Sequence, residues 1–119
     1  FVTLQLLFSY LEGDKCIGYG GLVHINWVDK NAEISFVMNT DLEKRNFQLH
    51  WCNYLSLIEL VGFEELKFHK IFVYAFDLRP QLYEALKVSE YIVDSRLKEH
   101  CFFDNKFIDV VISSKINQL

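Results

Sequence analysis

Ile71-Phe72-Val73-Tyr74-Ala75-Phe76-Asp77-Leu78-Arg79-Pro80-Gln81-Leu82-Tyr83 changes character twice in a short span. Ile71 to Phe76 is an unbroken apolar run, as expected of a strand covered on both faces. Pro80 suits the first turn of a helix, where its missing N–H is no loss. Tyr83 and Leu86 are three apart and share a face of that helix. The stretch therefore predicts a buried strand, a turn at Asp77 to Arg79, and a short helix.

Upstream, Phe47, Trp51, Tyr54, Leu55, Ile58 and Val61 recur at helical spacing, which predicts one helix from Phe47 to Leu66. Glu43 and Glu59 fall on its wet side, and Asp41 is placed to cap an early turn. Before it, Thr3 to Glu12, Cys16 to Trp27 and Ala32 to Met38 read as three strands. Gly13-Asp14 and Asp29-Lys30-Asn31 turn between them. Gly18, Gly20 and Gly21 weaken the second strand unless a bulge or a close backbone neighbour requires them. Downstream, Tyr91 to Phe103 and Phe107 to Ile112 flank a hairpin turn at Asp104-Asn105-Lys106. The predicted order is β-β-β-α-β-α-β-β, a single α+β domain over 1–119 with a mixed, mostly antiparallel sheet.

Composition narrows the function classes. A net charge of −4 argues against nucleic acid as partner, because phosphate neutralisation needs a basic face. No apolar run approaches a membrane span. The opening Phe1-Val2-Thr3-Leu4 lacks a basic flank and cleavage site, so no signal peptide is expected. Cys16, Cys52 and Cys101 form no C-x-x-C pair. Reduced, mostly buried thiols in a cytoplasmic protein are the expectation. His50 with Cys52, and His100 beside Cys101, lack the ligand count of a zinc site, so no metal is expected. A thiol enzyme using Cys52 or Cys101 has no supporting neighbour pattern.

The strand and helix order, with a long helix between the third and fourth strands of this chain, resembles the body of the GNAT N-acetyltransferase superfamily. Cys16-Ile17-Gly18-Tyr19-Gly20-Gly21-Leu22 is similar to the family's third strand, and Ala32-Glu33-Ile34-Ser35-Phe36-Val37-Met38 to its fourth. Phe63-Glu64-Glu65-Leu66 running into His69-Lys70-Ile71 resembles the branch that acetylates ribosomal-protein amino termini and amino sugars. Arg96-Leu97-Lys98-Glu99-His100 and Ile108-Asp109-Val110-Val111 resemble that branch's closing hairpin. The family's first strand and two following helices, which shape the acceptor site, are expected to be absent from this chain.

The resemblance implies transfer of an acetyl group from acetyl-CoA to a primary amine by direct attack. Amino sugar, protein or peptide amino terminus and small polyamine all stay open as acceptor, and a homodimer is a further expectation. Backbone N–H groups of Phe36, Val37 and Met38 are then the oxyanion donors. Asp77 takes the place of the asparagine that closes the family's fifth strand, and Tyr83, six residues later, becomes the proton donor. Glu33, sharing a strand face with Ser35 and Val37, is the candidate general base; pairing with a neighbouring strand's cation is the competing reading. Arg45 and Arg79 are the candidate phosphate partners, whereas Lys44 fits simple surface solvation. His24 in Val23-His24-Ile25 either faces the acceptor or is a hydrogen-bonded structural group. The family's glycine-containing pyrophosphate loop falls on Asn46-Phe47-Gln48-Leu49-His50-Trp51, which holds no glycine. Leu49 and Trp51 obstruct a backbone approach that glycine permits. Two readings follow: a loop with another path, or a catalytically inactive GNAT-like binding or assembly domain.

Overall fold

The computed structural model describes residues 3–118; Phe1, Val2 and Leu119 lie outside it, and with the first two the start of the signal-peptide reading. Strands β1 (Leu6–Glu12), β2 (Lys15–Asn26) and β3 (Asn31–Met38) form an antiparallel meander. Gly13 at φ 62 takes the positive-φ place of the first turn, which a side chain would resist. Next come α1 (Thr40–Lys44) and α2 (Phe47–Glu59), then a π-helical turn (Leu60–Glu65) and β4 (Lys70–Phe76). α3 (Pro80–Val88) leads into the hairpin β5 (Ile92–Phe103) and β6 (Lys106–Ile116). Asp104 and Asn105 both adopt positive φ between those strands, the signature of a tight hairpin turn. The strand order is β1-β2-β3-β4-β6-β5, with β3 against β4 as its parallel pair.

The helices cover one face of this sheet. α2 buries Phe47, Trp51, Tyr54, Leu55 and Ile58, the apolar stripe read from the sequence. Against it lie Ile34, Phe36, Val73 and Ala75. The Tyr54 ring stacks on Phe36 at 3.8 Å, and its hydroxyl donates to the Ser35 carbonyl at 2.6 Å. α3 packs beside α2 through Leu82, Ala85 and Leu86. On the opposite face Glu33, Ser35, Val37, Tyr74 and Phe76 are left partly or fully exposed.

Several expectations are corrected. The single helix from Phe47 to Leu66 is interrupted: Leu66 N–H donates five residues back to Val61, the spacing of a π turn. There Gly62 passes close to β4, where an added Cβ would meet Ile71 Cγ2 at 3.3 Å. α1 is an additional helix, capped by Asn39, whose side-chain oxygen accepts from Asp41 N–H at 2.9 Å; Asp41 itself sits inside the first turn. β1 starts later than expected and β6 runs on to Ile116. Glu59 is not on a wet face but half-buried, accepting from Tyr91 at 3.1 Å and Lys115 at 3.0 Å. The thiols are all free, yet Cys16 is exposed and the other two only partly covered. No helix among the described residues is long and apolar enough to cross a membrane.

Candidate active site

β3 and β4 pair only at Asn31 with Lys70, Ala32 with Ile71 and Glu33 with Phe72. Beyond that point each keeps its other partner to the end: Met38 opposite Gly18 on β2, Phe76 opposite Val110 on β6. The sheet twist then draws the two strands apart. The splay opens a cleft of about 510 Å³. Glu33 to Val37 form one wall, Val73 to Phe76 the other, with Trp51, Leu78, Arg79 and Leu82 closing the helical side.

The β3 wall carries backbone donors. Asn39 N–H donates to Ile17 on β2 at 2.8 Å. Donor direction alternates along a strand, so Val37 N–H also faces β2 while those of Phe36 and Met38 face the splay. Of the three candidate oxyanion amides, that of Phe36 thus lies on the lined wall of the cleft, and that of Met38 is on the same side of β3 beyond the lining. Glu33 lines the cleft from the open face of the sheet, its carboxylate hydrogen-bonded with His24 Nδ1 at 2.9 Å. Tyr74 lines the wall opposite, with the His100 ring 6.4 Å away. Its hydroxyl pKa is raised by burial first, then by the Cys101 thiol and the Glu33 carboxylate.

At the helical mouth Arg79 donates to both Glu43 carboxylate oxygens at 3.1 Å and lies 5.6 Å over the Phe47 ring. Glu43 thus already neutralises part of its charge. Arg45 is exposed between α1 and α2 and Lys44 is exposed beside it. The glycine-free stretch is not a loop: Asn46 at φ 55 precedes α2, and His50 N–H already donates to the Asn46 carbonyl at 3.0 Å. Leu49 turns outward, and Trp51 is buried in the cleft wall with its indole N–H unpartnered. A buried orphan donor is costly unless something accepts from it. His50 is taken up by Tyr10, 2.9 Å from its hydroxyl.

Tyr83 stands outside the cleft lining. Its hydroxyl donates to Asp77 Oδ1 at 2.5 Å, and Arg96 bridges Asp77 and Asp109 at 2.9 Å each. Burial, then the Asp77 carboxylate, pushes the Tyr83 hydroxyl up to about 12. Both carboxylates are held below their ordinary value, Asp77 first by Tyr83 and then Arg96, Asp109 first by the Glu99 N–H and then Arg96. Because the folded values lie below the unfolded ones, this stabilisation is complete above about pH 5 and is lost as pH falls through the unfolded and then the lowered values. The Asp77→Asn, Asp109→Asn double variant is expected to lose less stability than the wild type between pH 5 and 2, within the ~5 to 1 window of such groups. Urea midpoints across that range check this; parallel curves would refute it.

No family model matches the chain, and no curated protein matches it by sequence. Solved structures do match. Spermidine N-acetyltransferase from Vibrio cholerae, in complex with CoA and spermine, superposes at TM-score 0.86 and 17% identity, over 96% of this chain and 66% of that one. The dodecameric form of the V. cholerae enzyme gives 0.78 at 18% identity, over 87% and 59%. A probable acetyltransferase gives 0.78 at 16% identity, over 95% and 62%. The chain has the GNAT fold.

Within the GNAT frame the structure brings Glu33, Phe36, Val37 and Arg79 to one cleft and leaves Tyr83 and Asp77 beside it, bonded to each other. Met38 is buried at the end of the β3 wall, and Arg45 makes no ion pair among the described residues. Sequence reading missed Trp51 as a cleft group and Tyr74 as a wall group. Trp51 carried a signal, an indole on the first exposed-to-core turn of α2. Tyr74 carried one too, as the polar member of an apolar strand. Arg96 and Asp109 gave none, because their meeting depends on the β5–β6 register.

Proposed function

We propose that this chain is an acetyl-CoA-dependent N-acetyltransferase acting on a primary amine. The observation that carries the reading is the β3–β4 splay, with Phe36 on its lined wall and the Phe36 and Met38 amides on the side of β3 turned away from β2. Preorganised N–H donors at that place suit the oxygen of a thioester carbonyl as it becomes negative. Glu33, on the same wall, is the group to take a proton from the acceptor ammonium and free the amine to attack. Tyr83 is the group to return one to the thiolate, and Arg79 is the cation at the mouth for the phosphates. The indole N–H of Trp51 supplies a further donor for a bound acceptor atom. Amino sugar, peptide amino terminus and polyamine are the acceptor classes; spermine is bound by the V. cholerae neighbour, which makes it one natural probe.

Acetyl-CoA at a hundredfold excess over its Kd is expected to stabilise the chain by about 2.7 kcal/mol, a rise of several degrees in Tm. CoA release in the presence of spermine, glucosamine or an alanine-initiated tetrapeptide measures turnover. The glycine-free start of α2 favours a second reading, a non-catalytic GNAT-like binding or assembly module. An unchanged Tm at millimolar acetyl-CoA would decide for that module.

A further inference from the structure

Leu22-Val23-His24-Ile25 breaks the alternation of β2. Leu22 and Ile25 are both buried, at 0% and 4% exposure, although residues on one face of an unbroken strand are an even number apart. The register gives the cause. Val23 opposes Glu33 and Asn26 opposes Asn31, so His24 and Ile25 together face Ala32. This extra residue is a β-bulge, a device that re-aims a side chain. His24 adopts φ 48 there, a conformation uncommon outside glycine and tolerated better by histidine than by most residues. Without the bulge the imidazole would turn into the core and Ile25 outward. With it, His24 Nδ1 lies 2.9 Å from Glu33 Oε1, the His24 side chain 79% exposed and that of Glu33 21%.

Glu33 therefore touches the cleft on one side and a water-exposed imidazole on the other. Acetylation of an ammonium group releases one net proton. Nitrogen loses two protons, one before attack and one after addition, and the departing thiolate takes one back. We propose that His24 is the exit for that net proton. Glu33 carboxylate takes a proton from the acceptor ammonium and becomes the acid. Neutral His24 with its proton on Nε2 accepts it from Glu33 at Nδ1, restoring the carboxylate; the imidazolium releases the Nε2 proton to water, and exchange with water returns the ring to its starting tautomer. An imidazole can do both near neutral pH. The titratable groups on the neighbouring strands are Tyr74 on β4, whose pKa is raised first by burial and then by Cys101 and Glu33, with His100 and Cys101 on β5. His24 acts through Glu33 and touches no substrate, so it is a positioning residue.

This inference rests on the acetyltransferase reading. The test compares wild type, His24→Gln and His24→Asn in weakly buffered solution at neutral pH, with acetyl-CoA and the three amine probes. Gln keeps a hydrogen bond to Glu33 without carrying a proton onward, and Asn suits the positive φ. Thermal unfolding confirms that both variants fold. Expected is a fall in kcat of about tenfold or more, an unchanged KM for acetyl-CoA, and recovery on adding imidazole buffer. Glu33→Gln is expected to lose activity without that recovery. A kcat equal to wild type in both variants, or a loss that imidazole leaves untouched, would overturn the exit alone. A wild-type chain that acetylates none of the three amines would overturn the acetyltransferase reading, and the exit with it.

Discussion

Replacing Asp77 by Asn is expected to raise kcat, and to make Tyr83 matter far more than it does in the wild type. The Tyr83 hydroxyl now donates a hydrogen bond to a carboxylate at 2.5 Å, and burial together with that carboxylate pushes it up to about 12. A thiolate with a conjugate acid near ~8.5 is then a poor competitor, and the transfer is uphill by about 3.5 pKa units. An asparagine oxygen keeps the hydrogen bond and the shape but removes the charge. Removing the charge takes away the carboxylate's share of the rise and leaves the share due to burial, so the uphill step becomes smaller without vanishing. With the proton half-transferred in the transition state, only half of that change reaches the rate, so the gain is less than about tenfold. Tyr83→Phe is accordingly expected to cost several-fold more in the Asp77→Asn background than in the wild type. A double-mutant cycle on kcat measures this non-additivity. Equal effects of Tyr83→Phe in the two backgrounds would show that Asp77 does not control the hydroxyl. No effect in either would remove Tyr83 from the chemistry.

That pair also marks how far the sequence could be read. Spacing put Tyr83 six residues past Asp77, and the structure does bring them together. What spacing could not carry was charge: whether the residue just after β4 is an amide or a carboxylate changes how tightly the phenol proton is held. The fold was legible because its elements are set by local periodicity, the apolar run of β4 and the stripe of α2 above all. α1 was hidden because a five-residue helix rests on one cap, Asn39, instead of a periodic face. The π turn was hidden because it answers to a contact of Gly62 with β4. The bulge at His24 was readable in principle, since Leu22 and Ile25 cannot both face inward on a regular strand. Glu33 as a cleft residue followed from strand alternation; its imidazole partner did not. The same limit held for Val37, whose amide direction depends on which neighbour strand it faces.

Gly21→Ala is expected to destabilise the fold more than any other single methyl addition on β2 except Gly20→Ala. A Cβ at Gly21 would stand 1.8 Å from the Leu6 carbonyl oxygen of β1, at a φ of 150 that L side chains rarely adopt. One at Gly20 would stand 2.0 Å from the Ser35 carbonyl oxygen and 2.6 Å from the Tyr54 hydroxyl. Both collisions are with backbone held in a ladder, so no rotamer change relieves them. Overpacking of that kind costs roughly 3 kcal/mol or more, a large share of the ~5–15 kcal/mol a domain has. In urea, with m of about 1–3 kcal/mol/M, the midpoint is expected to fall by about 1–3 M. Gly13→Ala is the control, because its Cβ meets nothing within 4 Å and only the φ of 62 is strained; it should cost about 1 kcal/mol. A Gly21→Ala midpoint equal to that of Gly13→Ala would refute the close approach of β1 and β2. Gly20 has a second consequence, since Ser35 is the residue next to Phe36 on the cleft wall. Pushing its carbonyl aside displaces the Tyr54 hydroxyl and the stacked Phe36 ring together. Folded Gly20→Ala protein is therefore expected to lose acetyl-CoA stabilisation, whereas folded Gly21→Ala protein retains it.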